Sequence, residues 1–275
     1  EIFLAKQIHI GGIERPVIIK TLLSDTAEDE VMIRSFLDEA RIAASLNHPN
    51  IVSLIEVGEF DGTIFIAMEY IPGHQMACFY KHFVEKAQPT PELVAARLIH
   101  DAAKGLAHAH QACGSNDEPL NLVHRDVSPQ NIMVRKDGVT KILDFGIAAA
   151  SNRAVKTQTG IVRCKIGYVA PEHVLSRKID CRTDLFSLGV VLWELLTRQR
   201  LRQKGSTTID TLLAAAEDEV PRVSTVWPGV TPELDEIVAK MTALAPEDRY
   251  ASCDVVAKKL HEFIVRDARD DEAEL

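Results

Sequence analysis

Apolar positions change their period part-way along this chain. Up to about residue 71 they come mostly in short runs. Residues 1–10 and 15–23 are β-branched stretches joined around Gly11 and Gly12, which reads as a hairpin turn because glycine enters positive-φ conformations freely. Residues 27–46 (AEDEVMIRSFLDEARIAASL) instead repeat apolar residues at helical spacing, with acids early and no Pro or Gly, so a helix is predicted there. Strand-like runs return at 51–59 and 63–70, parted by Asp61-Gly62. Past Pro72-Gly73 the character is helical: 91–112 predicts a long apolar-faced helix, and 184–196, 232–244 and 254–266 read the same way. The pattern predicts an α+β chain with a small β-rich lobe over 1–71, holding one main helix, and a larger helical lobe over 72–266. The acidic residues 267–275 are expected to be a solvated end.

Composition narrows the class without naming it. Hydrophobic residues make up 46% and charged residues 26% of the 275, an ordinary balance that supports a real core. The formal charge is −9 with no long Lys/Arg run, which argues against nucleic acid or an anionic membrane as partner. Five scattered cysteines, never spaced CxxC, argue against a disulfide framework or a zinc site and suit a reducing, cytoplasmic setting. No apolar run approaches the ~18–20 residues that span a bilayer, and no signal peptide is visible. The chain does not open with Met, so it reads as a piece of a longer protein, in which anchoring elsewhere stays open.

Short strings carry the chemistry. His124-Arg125-Asp126 is followed by Asn131, five residues past the Asp, then by Asp144-Phe145-Gly146 and Ala170-Pro171-Glu172; upstream, Val17-Ile18-Ile19-Lys20 ends a strand and Glu39 sits mid-helix. Any tripeptide recurs by chance, but the ordered series resembles the signature set of protein kinases over essentially the whole chain. The strings FLDEA, HPNI and HRDVSPQN most resemble eukaryotic-like (Hanks-type) bacterial Ser/Thr kinases of the myxobacterial kind.

That resemblance implies a bilobal protein-kinase fold with a small antiparallel N-lobe, and the cosubstrate and ion ATP and Mg²⁺. Phosphoryl transfer passes through a loose transition state, so such a site works by positioning and charge stabilisation. By resemblance, Lys20 meets the α/β-phosphates and Glu39 holds it by an ion pair. Asn131 and Asp144 are the metal ligands, since Mg²⁺ prefers hard oxygen donors. Asp126 accepts the hydroxyl proton of the acceptor. Met68 resembles the gatekeeper behind the adenine, Glu69 and Ile71 meet the adenine edge through backbone groups with side chains of little consequence, and Met133 completes the nucleotide pocket. His124 is expected to be a packed core histidine, Glu172 and Arg249 a structural ion pair, and Asp184 a holder of the catalytic-loop backbone.

Five departures from the family pattern stand out. Residues 1–5 resemble the strand that follows the glycine-rich loop, so that loop is expected upstream of Glu1. Ile18 replaces the usual Ala over the adenine face. Ser128 stands where Ser/Thr kinases carry Lys, and Gln130 where tyrosine kinases carry Arg. Cys164-Lys165 replaces Gly-Thr before APE, and 113–121 is a polar insertion read as a surface loop. Ser128 and Lys165 look like an exchange of chemical types, with Lys165 reaching the γ-phosphate and Ser128 hydrogen-bonding to it; the alternative is a solvated Lys165 and one cation fewer.

The acceptor is expected to be a Ser or Thr of a protein, because an extended segment ending in APE suits polypeptide docking and Gln130 is not Arg. Autophosphorylation at Thr157 or Thr159, with Ser151 less favoured, would involve self-association. Two rivals are a pseudokinase scaffold, suggested by Ser128, Ile18 and the upstream loop, and a small-molecule phosphotransferase.

Overall fold

The computed structural model describes residues 1–22, 30–86, 90–114, 116–145, 166–202 and 208–273. Strands β1 (Ile2–Ile8), β2 (Glu14–Thr21), β3 (Leu54–Phe60) and β4 (Thr63–Glu69) form an antiparallel sheet in the order β1-β2-β4-β3, with α1 (Glu30–Ser45) packed near β3. The β1–β2 turn is a 3₁₀ turn over Ile10–Gly12; Gly11 and Gly12 have φ of 83° and 76°, values that disfavour any residue with a Cβ. Phe36 and Ala40 of α1 pack on Ile66 of β4, so the sheet and the helix carrying Glu39 share one small core.

A second sheet joins β5 (Gly73–Gln75), β6 (Ile132–Arg135) and β7 (Thr140–Ile142). The helical lobe holds α2 (Met76–Glu85), α3 (Glu92–His110), α4 (Pro171–Val174), α5 (Cys181–Thr197), α6 (Thr208–Glu217), α7 (Val223–Val226), α8 (Pro232–Met241) and α9 (Cys253–Ala273). Helix α5 is apolar nearly all round and buried nearly throughout, which is what a helix at the centre of a bundle requires. Small residues of α3 (Ala95, Ala96, Ala102, Ala103) let it pack closely on α5 and α9. At Gly105 a Cβ would come 2.6 Å from the Asn50 carbonyl, so glycine there permits α3 to touch the loop entering the small lobe.

The boundaries shift for local reasons. β3 starts at Leu54 rather than 51, because Val52 donates to Ile142 O at 2.9 Å and Ile142 to Asn50 O at 2.8 Å, tying 50–52 to β7 instead. α5 starts three residues earlier than the apolar period suggests, with the Asp180 side chain accepting from Arg182 N at 2.9 Å as its cap. α9 runs to Ala273, so residues 267–273, expected as a solvated end, continue the helix. Among the described residues no helix is long and apolar enough to cross a membrane. The described cysteines Cys78, Cys113, Cys181 and Cys253 are free thiols.

Candidate active site

Lys20 is next to last in β2 and shares a strand face with Ile18, since alternate residues point the same way. Its Nζ lies 2.5 Å from Oε1 of Glu39 on α1 and 3.3 Å from Oδ1 of Asp144, just past β7. The two pairs span 19 and 124 positions of sequence, so only the fold unites them. Burial draws Lys20 down, but the carboxylates of Asp144 and Glu39 outweigh it and hold its pKa above the usual lysine value. The result is a secure cation held between two carboxylates, with Ile18 on the same strand face.

The opposite wall is the loop from His124 to Asn131. Asp184, fully buried near the start of α5, accepts from His124 N at 2.7 Å and Arg125 N at 2.8 Å, while His110 Nε2 lies 2.7 Å from its Oδ2. Burial alone would push Asp184 up; His110 and His124 outweigh that and keep its carboxyl below the usual range. This clamp holds Arg125 at φ 64°, a left-handed conformation that is uncommon for a residue with a Cβ, and Asp144 is held at φ 37°. His124 is buried, with Nε2 2.8 Å from Leu143 O and its ring 4.9 Å from that of Phe145, as the core role requires.

Asn131 completes the floor. Its Nδ2 donates to Asp126 O at 2.8 Å and to Asp126 Oδ2 at 2.7 Å, which orients the carboxylate. Leu143 N donates to Asn131 O at 2.9 Å, which sets Asn131 beside Asp144. Asp126, Asn131, Asp144 and Lys20 therefore surround one cleft. Among the described residues no group of three His, Cys, Asp or Glu could hold an ion alone, so a cation at Asn131 and Asp144 would need oxygen ligands from a bound phosphate or water as well.

Met68, opposite Ile18 in register, closes with Glu39, Ile66 and Phe145 a slot of about 20 Å³ behind the cleft. Ile71 is buried, and Met133 is partly exposed on β6, opposite Gln75 and Lys141. Glu69 corrects an expectation: its side chain is not idle. Its Oε1 accepts from Ser53 N at 2.8 Å and pairs with buried Lys141 at 2.6 Å, and Lys141 also donates to Ile51 O at 3.1 Å. Nothing local in the sequence marks Lys141 as buried, because its partners lie some 70–90 positions away.

Glu172 and Arg249 form the expected scaffold pair, Nη1–Oε1 and Nη2–Oε2 both at 2.8 Å. Ser128 is fully buried and its carbonyl accepts from Asn131 N at 2.9 Å. Lys165, Cys164, Gly146, Ser151, Thr157 and Thr159 lie outside the described residues, so the proposed Ser128–Lys165 exchange and the phosphorylation sites are not placed. The insertion is in part an antiparallel bridge, Cys113 to Pro119.

This fold, with a cationic roof over a carboxylate floor, defines a phosphotransferase of the protein kinase class. Residues 6–261 match the protein kinase domain family, and the chain belongs to it. A Myxococcus xanthus protein named tyrosine-protein kinase MasK is 40% identical over 265 residues, 96% of this chain and 41% of that protein. Serine/threonine-protein kinase PrkC of Bacillus subtilis is 34% identical over 92% of this chain and 37% of its own length. Serine/threonine-protein kinase PknL of Mycobacterium tuberculosis is 36% identical over 87% of this chain and 57% of its own length. The chain thus spans well under two thirds of the curated relatives it matches. Among solved structures, the M. tuberculosis PknI kinase domain superposes with a TM-score of 0.66 at 26% identity, covering 95% of this chain and 90% of that one.

Proposed function

We propose that this domain, comprising an N-lobe over 1–71 and a C-lobe over 72–266, transfers the γ-phosphoryl group of ATP to Ser or Thr hydroxyls of proteins in bacterial signalling. The observation that carries the reading is the convergence of Lys20, Glu39 and Asp144 on one side of the cleft with Asp126 and Asn131 on the other. Lys20, held by Glu39, offers its charge to the α/β-phosphates. Met68, Met133 and the backbone of Glu69 and Ile71 receive the adenine. Asn131 and Asp144 would hold Mg²⁺, which when bound would supply positive charge to the phosphate oxygens. Asp126, oriented by Asn131, accepts the hydroxyl proton as the acceptor oxygen attacks. Ser128 is buried next to this centre and, with Lys165, is assigned the place of the usual catalytic-loop lysine.

All five charged or amide groups are present, Lys20 paired with Glu39 and Asp144, and Asp126 hydrogen-bonded to Asn131, which favours an enzyme over a binding scaffold. Relatives bear both acceptor names, tyrosine for MasK and serine/threonine for PrkC and PknL. Gln130 favours Ser/Thr here, because no arginine stands at that position to support a phenol. Phosphoamino-acid analysis of protein labelled with ATP and Mg²⁺ tests this. Phosphoserine and phosphothreonine are expected, and phosphotyrosine as the main product would overturn the assignment.

A further inference from the structure

The loop that leaves α1 lies between the two carboxylates that hold Lys20. Glu39 precedes it on α1, and Asp144 follows β7, to which the loop is tied. Asn50 donates from Nδ2 to Thr140 O at 2.8 Å, and its own carbonyl accepts from Ile142 N at 2.8 Å. Lys141 donates to Ile51 O at 3.1 Å, and Val52 N to Ile142 O at 2.9 Å. Residues 50 to 52 are thus bonded to each residue of β7.

His48 stands just before these residues. Its Nδ1 accepts from Asn50 N at 3.1 Å, so the neutral ring carries its proton on Nε2 and leaves Nδ1 bare. The ring stacks on that of His108 on α3, with centroids 4.9 Å apart and planes 26° from parallel. Among the described residues, Lys104, His108 and Asp101 face it from α3, and Lys141 from β7. Asp101 is already engaged, with His100 Nδ1 at 3.1 Å and Thr140 N at 3.2 Å. Burial, then His108, Lys104 and Lys141, outweigh Asp101 and draw the His48 pKa below its ordinary value of 6.5. A proton taken up by this ring can go only to Nδ1. There it replaces the acceptor of the Asn50 N–H with a donor and sets a cation against Lys104, Lys141 and His108.

We propose that His48, stacked on His108, is an acid-sensing residue: neutral, it holds the start of the 50–52 loop in the geometry that fastens it to β7, and protonated, it loosens that junction and slows phosphoryl transfer. The link to rate rests on the reading of Lys20, Glu39 and Asp144 as the phosphate site, because α1 and β7 set the spacing of those carboxylates about Lys20. The sign follows from the lowered pKa. The unfolded chain binds the proton more readily, so this contribution to stability is intact above about pH 6.5 and is lost as pH falls toward the lowered value.

The test compares wild type with His48→Asn, whose side-chain oxygen can accept from Asn50 N but takes up no proton. The turnover of both is followed from about pH 7.5 to about pH 5.5, the range in which histidine changes charge, with NMR of the His48 ring and the Asn50 amide in wild type. At the upper end His48→Asn should match wild type within about twofold, since the hydrogen bond is kept. At the lower end wild type should have lost about 5- to 10-fold more activity than His48→Asn, the effect of one such bond. Other histidines and Asp126 titrate in both proteins, so their share cancels in the comparison. The Asn50 amide resonance should move together with the His48 ring, at a midpoint below 6.5. Equal pH profiles in the two proteins, a ring midpoint at or above the ordinary value, or an Asn50 amide that ignores the ring overturns the proposal. Should His48→Asn not fold, the wild-type titration decides alone. A wild type whose His48 and Asn50 titrate as expected but which transfers no phosphoryl group at any pH would instead sink the reading of the phosphate site.

Discussion

Lys20–Glu39 in the cleft and Arg249–Glu172 in the helical lobe are both cation–carboxylate pairs between distant segments, yet they are built differently. The cleft pair leaves each side chain 20% exposed and shares its lysine with Asp144. The scaffold pair leaves 0% and 3% exposed, and every remaining donor is occupied: Arg249 also bonds the carbonyls of Ala243, Leu244 and Arg182, and Thr183 donates to Glu172. A compact ammonium on a flexible stem can be handed between carboxylates and a phosphate, whereas a guanidinium fork fits one fixed geometry. The choice of Lys in one place and Arg in the other therefore follows from what each must do. One pair works, and the other holds the segment ending at Glu172 to the bundle.

Removing one partner should separate the two pairs cleanly. Arg249→Ala leaves Glu172 charged and buried, so it should cost about 3–5 kcal/mol of stability, read from denaturant melts. A loss under about 1 kcal/mol would mean that the burial of this pair carries little weight. Lys20→Met should act on rate instead. Loss of one preorganised charge should cut kcat about 10²–10³-fold, while stability changes by less than about 1 kcal/mol, as for partly exposed pairs generally. Equal damage to stability and rate in Lys20→Met would erase the distinction between the two pairs.

The cleft pair is legible in the sequence because its members sit in short strings with a fixed order, and the helical phase of 27–46 singles out Glu39. Glu172 is legible for the same reason, whereas Arg249 and Asp184 are legible only through what the family resemblance implies. What stayed hidden were partners with no local signature. Lys141 looks like any strand lysine, yet it is buried against Glu69. His110 ends a helix as many surface histidines do, yet it faces Asp184. Arg200 and Arg202 fall in a polar stretch that reads as solvent-facing loop, and their carbonyl and hydroxyl partners lie more than 30 positions away. Helix α2 was missed because Pro72-Gly73 and a mixed string of His, Cys and aromatic residues give no clear period. The run of α9 to Ala273 was missed because its last turns carry almost no apolar residues to mark a face, although Ala, Glu and Arg are good helix formers.

The central claim is that Asp126, oriented by Asn131 on a clamped loop, accepts the proton of the acceptor hydroxyl. Asp126→Asn keeps the shape and removes the base, so a direct measurement is kcat for protein phosphorylation together with nucleotide affinity for this variant and wild type. The account predicts a fall in kcat of about 10²–10⁴-fold with nucleotide binding little changed. A variant that keeps a tenth or more of normal turnover would contradict it.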